Sequence, residues 1–197
     1  MATIEAMGQK RTVTAVEDAK GFSTRDLILI AVLLAAGAVL KLTVSSFLTF
    51  AGMKPNFMIA MYCLAIILTR PRVYQAGIIG LITGFISQIP MLNATPLVNI
   101  ASELVGALVC GILLAAFLRV AKGNASLHNV VSPFIVTFVA TVFSGYVFAL
   151  IVGSAMNGLP VAAVFVTYAV MVFGTATLNA ILVAILTPVL KRALKLA

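Results

Sequence analysis

The stretch LVNIASELVGALVCGILLAAFL, Leu97 to Leu118, carries one charged residue, Glu103, in a run long enough to cross a bilayer as a helix, which takes roughly 20 apolar residues. Working outward, five comparable runs appear at Leu27 to Phe47, Pro55 to Leu68, Val73 to Ile89, Pro133 to Gly153 and Pro160 to Leu186. The run between Lys54 and Arg70 is short for a crossing, so a steep path or an irregular start is expected there. Composition agrees with a membrane solvent. With 62% hydrophobic and 9% charged residues in 197, there is too little polar surface to coat a soluble globule. Mean hydropathy is +1.19. The expected fold is an all-α integral membrane protein, a bundle of six transmembrane helices with both termini cytoplasmic.

Charge fixes the expected orientation. The basic residues of the connections fall in the amino tail (Lys10, Arg11, Lys20, Arg25), after the second run (Arg70, Arg72), after the fourth (Arg119, Lys122) and at the end (Lys191, Arg192, Lys195). The intervening connections, Pro90 to Pro96 and Met156 to Leu159, carry none. Every second connection is thus positive, the positive-inside pattern for cytoplasmic ends. Only Lys41 and Lys54 break it. The net charge of +8 therefore reports orientation, and nucleic acid is not an expected partner, because the basic residues do not cluster as a phosphate-binding face. Domain limits follow: a polar tail over 1–24 without a signal-peptide core, a transmembrane domain over 25–190 and a basic tail over 191–197. Ser23-Thr24-Arg25-Asp26 supplies capping residues for the first helix.

Few polar residues lie inside these runs. Glu103 is the only acid within them, and an ionised carboxylate at that depth needs a partner or water. Asn99 and Gly106 stand about one turn to either side, so the three share a face that would line a cavity, with a structural bridge from Glu103 to Lys41 or Lys54 as the plainer alternative. Ala51-Gly52-Met53-Lys54-Pro55-Asn56 is turn chemistry at the expected outer surface and the natural mouth of such a cavity. In the fifth run Thr137, Thr141 and Ser144 form a stripe, with Tyr146 and Phe148 beyond. In the sixth, Tyr168, Thr175 and Asn179 share one side, where helix-to-helix hydrogen bonding is the default role. Small residues mark close approaches at Ala31, Ala35 and Ala38, and at Gly77, Gly80 and Gly84.

No phosphate-binding loop, zinc-protease motif or nucleophile elbow occurs, and His128 has no acid beside it in its loop. No enzyme, catalytic residue or cofactor is expected. Cys63 and Cys110 lie inside apolar runs, so neither a disulfide nor a metal site is expected of them.

Gly52-Met53-Lys54-Pro55, Gly80-Leu81-Ile82-Thr83-Gly84, Ser144-Gly145 with Val147-Phe148, and Leu178-Asn179 ahead of Pro188 together resemble the bacterial tryptophan transport protein family. Six short helices without an ATPase, and the Ala31/Ala35 face, also resemble the substrate-binding component of an energy-coupling factor transporter. The resemblance implies capture from outside, with Ala31 and Ala35 docking a transmembrane coupling subunit driven by two ATPases. A basic and an acidic group in one cavity suit a zwitterion, tryptophan first. Lys54 would attract the carboxylate, Glu103 with Asn99 would hold the ammonium, and Phe47, Phe50 or Phe57 would cover the ring. A vitamin as substrate, or a structural subunit that transports nothing, are the competing expectations.

Overall fold

The computed structural model describes residues 21–48, 54–89, 92, 95–120 and 127–196, and among them all regular structure is helical. Helix α1 (Thr24–Leu42) opens on a capping box: Asp26 N donates to Ser23 Oγ at 3.2 Å while Ser23 N donates to Asp26 Oδ2 at 3.0 Å. It stops at Thr43, whose hydroxyl bonds Val39 O at 2.7 Å, and a one-turn helix α2 (Val44–Phe47) follows. The first apolar run is therefore two pieces and not one helix through Phe47.

Helix α3 (Phe57–Thr69) is the axis of the bundle. Every residue from Met58 to Leu68 is buried, on contacts with α1, α5, α6 and α8. At 1.5 Å per residue its 13 residues reach only about 20 Å, less than a hydrocarbon core. Irregular backbone at membrane depth is tolerated where protein surrounds it and its polar groups are bonded. Both conditions hold for the Pro55-Asn56 lead-in. Ser45 Oγ donates to Pro55 O at 2.7 Å, Asn179 Nδ2 donates to Asn56 O at 3.0 Å, and Asn56 Oδ1 caps the helix by accepting from Met58 N at 3.2 Å. At the other end Arg70 takes left-handed backbone, φ 47° and ψ 55°, and Pro71 prevents continuation.

Helix α4 (Val73–Ile86) lies flat on α5 (Pro96–Val120) through its glycine stripe. A Cβ on Gly80 would stand 2.6 Å from Ala107 Cβ and from Glu103 O, and one on Gly84 would stand 2.8 Å from Ile100 Cα. Backbones meet there, so only glycine fits. Helix α6 (Ser132–Leu150) is framed by π-helical turns, Leu127–Val131 before it and Ile151–Met156 after it. The sixth run is divided at Tyr168 (φ −93°, ψ 0°) into α7 (Val161–Thr167) and α8 (Ala169–Ala193). Helix α8 continues through Pro188, past the expected end at Leu186; beside the proline, the Thr187 hydroxyl bonds Val183 O at 2.7 Å.

Among the described residues, three helical spans are long and apolar enough to cross a membrane: Leu97–Val120, Asn129–Met156 and Ala169–Ala193. Helices α3 and α4 are shorter apolar helices. Helix α1 has the length, with Arg25, Asp26 and Lys41 near its ends. Arg25 donates to Leu194 O and Lys191 Nζ to Asn129 Oδ1 at 2.9 Å, tying the start of α1, the end of α8 and the approach to α6 together at one pole of the bundle. Arg70, Arg72 and Arg192 join them there, at the end of α3, the start of α4 and the end of α8.

Candidate functional site

At the opposite pole, where α1 ends and α3, α5 and α8 begin, the bundle encloses a cavity of about 410 Å³. That lies within the roughly 300–1,000 Å³ of typical small-molecule sites. It is lined by polar side chains, Lys41, Lys54, Asn56, Thr95, Asn99, Ser102, Thr141, Ser144 and Thr175, and by apolar ones, Ile59, Leu92, Phe148, Val152, Met171 and Val172. The lining thus offers partners both to charge and to an apolar body.

Several of the polar residues are placed by an element end, whereas Thr141 lies mid-way along α6. Asn99 and Ser102 lie in the first turns of α5, each 1% exposed. Asn56 is the N-cap of α3. Lys41 sits in the last turn of α1 and is 5% exposed, whereas Lys54 is exposed at the cavity edge.

Behind this wall lies a second layer. Glu103 is fully buried, and its Oε1 accepts from Asn56 Nδ2 at 2.5 Å. Among the described residues its Oε2 has no hydrogen-bond partner of good geometry. Glu103 therefore reaches the cavity through Asn56. The Tyr62 hydroxyl sits against Gly106 and Ser144 without a hydrogen bond of good geometry. Asn179 Nδ2 also approaches Thr141 Oγ1 at 3.4 Å, tying α8 to α6.

Several sequence expectations are relocated by packing. Lys54, Asn56 and Asn99 share the cavity, but the cation electrostatically coupled to Glu103 is Lys41. Gly106 supports Tyr62 rather than lining the cavity, because α3 and α6 close over that turn of α5. Phe57 is buried in the first turn of α3 and is not a wall residue; Phe47 is 89% exposed on α2. Phe50, Gly52 and Met53 lie outside the described residues. The aromatic ring on the wall is Phe148. Its signal was in the sequence, four residues beyond Ser144 on the same helical stripe. Lys41 stood out in the sequence as one of the two departures from the charge pattern and as a bridge partner for Glu103, but not as a cavity residue. Ala31 and Ala35 are exposed on the outer surface of α1.

Among the described residues no group of His, Cys, Asp or Glu is arranged to hold a metal ion. Cys63 and Cys110 are free and buried.

Comparison with known proteins adds a family. The family described as "Tryptophan transporter TrpP" matches residues 23–195. A "Probable tryptophan transport protein" of Bacillus subtilis (strain 168) is 32% identical over 176 residues, covering 87% of this chain and 94% of that protein. No solved structure matches significantly.

Proposed function

Because this chain belongs to the tryptophan transporter family and is a multi-pass membrane protein, we propose that it captures tryptophan for uptake across the cell membrane. The observation that carries this reading is the cavity, whose lining holds Lys41, Lys54 and Asn56 together with apolar side chains that include Phe148. A zwitterion with an aromatic side chain presents both kinds of surface. Lys54, exposed at the edge, attracts the carboxylate on approach. Asn56, polarised by Glu103, faces the ammonium, and the apolar side chains cover the indole. Charge-assisted hydrogen bonds are worth roughly 1.5–3 kcal/mol each, against roughly 0.5–2 kcal/mol for a cation on an aromatic face. The polar end dominates recognition.

In this reading the chain crosses the membrane six times with both termini in the cytoplasm, and the cavity opens outward. Support comes from the basic residues gathered at the other pole, where the positive-inside rule puts the cytoplasm. The polar tails over 1–24 and 191–197 then lie inside.

A second reading concerns energy supply, and the exposed Ala31/Ala35 surface favours it. Small residues let a partner helix approach closely. The chain would act as the substrate-binding component of an energy-coupling factor transporter, docked there on a coupling subunit with two ATPases.

Equilibrium binding tests the substrate: purified protein is expected to bind L-tryptophan saturably, and no binding refutes the assignment. Labelled tryptophan uptake should fall in cells lacking the gene. Copurification of a coupling subunit from native membranes, lost in Ala31→Leu/Ala35→Leu, tests the second reading.

A further inference from the structure

The two best-buried polar residues of the cavity wall that carry orphaned donors are Lys41 and Asn99. Lys41 is 5% exposed, Asn99 1%, and among the described residues both Lys41 Nζ and Asn99 Nδ2 lack a hydrogen-bond acceptor. Leaving an ammonium buried and unpaired is among the costliest arrangements a membrane protein can hold. The same chain shows how a structural lysine is treated. Lys191, 8% exposed, places its Nζ 2.9 Å from Asn129 Oδ1. Glu103 attracts Lys41 at a distance without accepting a hydrogen bond from it. Lys41 thus has charge compensation but no acceptor, on a surface that faces a cavity.

We infer that Lys41, together with the Asn99 amide, is the seat of the substrate carboxylate, and that Lys54 only guides the anion in. The assignment rests on the proposed capture of tryptophan and deepens it. Three features select a monocarboxylate over a phosphate or a dianion. The wall offers a single buried cation, the neighbouring donor is a neutral amide, and Glu103 behind them disfavours a second negative charge. A bound carboxylate accepts from both orphaned donors. Its amino group is then left for the Asn56 side of the cavity, where Glu103 supplies the opposite charge. The zwitterion is held across the wall, each end opposite its complement.

The test compares two ligands on the full-length protein in detergent: L-tryptophan, and L-tryptophanamide, which keeps the ammonium and the ring but loses the anionic charge. Wild type is expected to prefer tryptophan by about tenfold to a hundredfold, the range of one to two charge-assisted hydrogen bonds. Lys41→Met should abolish that preference by weakening tryptophan alone, with tryptophanamide binding changed less than about threefold. Lys41→Arg, which keeps the charge, should retain most of the preference, and Asn99→Ala should reduce it. The inference is overturned if wild type binds both ligands equally. It is also overturned if Lys41→Met weakens both alike, the mark of a structural role. Should Lys41→Met fail to fold, the wild-type comparison and the Asn99→Ala variant decide. Failure of wild type to bind either ligand would instead overturn the tryptophan assignment itself.

Discussion

Substituting Gly106 by alanine tests the second layer of the site directly. The added methyl would fall well inside contact distance of the Tyr62 hydroxyl, 2.8 Å from Ser144 Cβ and 3.3 Å from Ser144 Oγ. Neither neighbour can yield cheaply, since Tyr62 is 0% and Ser144 1% exposed and each belongs to a different helix, α3 and α6. Overpacking of this kind costs about 1–3 kcal/mol, and two rigid neighbours argue for the upper half. At about 2–4 °C per kcal/mol for a chain of this size, the melting temperature should fall by roughly 4–12 °C. The hydroxyl oxygen takes the closest approach, which makes a rescue specific. Tyr62→Phe alone removes an oxygen without a good hydrogen bond and should change stability by less than about 1 kcal/mol. The double variant Gly106→Ala/Tyr62→Phe should recover more than half of the loss, leaving the residual clash with Ser144. Thermal unfolding in detergent, followed by circular dichroism, measures all four proteins. A Gly106→Ala protein as stable as wild type, or a double variant no better than the single, would refute this packing.

Other consequences are equally open to measurement. Glu103→Gln should weaken tryptophan binding by at least about tenfold in calorimetry, and Asn56→Ala should do the same without adding to it, because the two act through one hydrogen bond. Lys54→Ala should mainly slow association and lessen its salt dependence in stopped-flow measurements, since an exposed cation steers more than it holds. Phe148→Ala should cost at least about 1 kcal/mol of tryptophan affinity by removing the one aromatic ring among the described lining residues. Gly80→Ala should destabilise the protein by at least about 1–3 kcal/mol as α4 is pushed from α5. Gly174→Ala, with nothing within 4 Å, should leave stability unchanged or raise it by up to about 1 kcal/mol.

The glycine stripe of α4 shows what local pattern reveals. Gly77, Gly80 and Gly84 announce a close helix contact by spacing alone, and their contact with α5 completes it. Asn179 was legible in the same way, as an interhelical donor, although its acceptor, the carbonyl of Asn56, lies 123 residues away. The first and sixth runs were read too simply, because hydropathy does not register a change of backbone geometry at Thr43 or Tyr168.

By itself, the sequence determined the solvent: apolar runs with charge at alternate ends can satisfy their backbone groups only as helices in a bilayer. It also determined which few polar residues had to find company there. Only the tertiary structure decided what company they keep. Lys41 rather than Lys54 is the buried cation, Glu103 stands behind Asn56, and Phe148 rather than Phe57 meets the cavity. The reason is rotational. A helical pattern says which residues share a face, but the neighbour that face meets depends on how segments distant in the chain turn and close around α3.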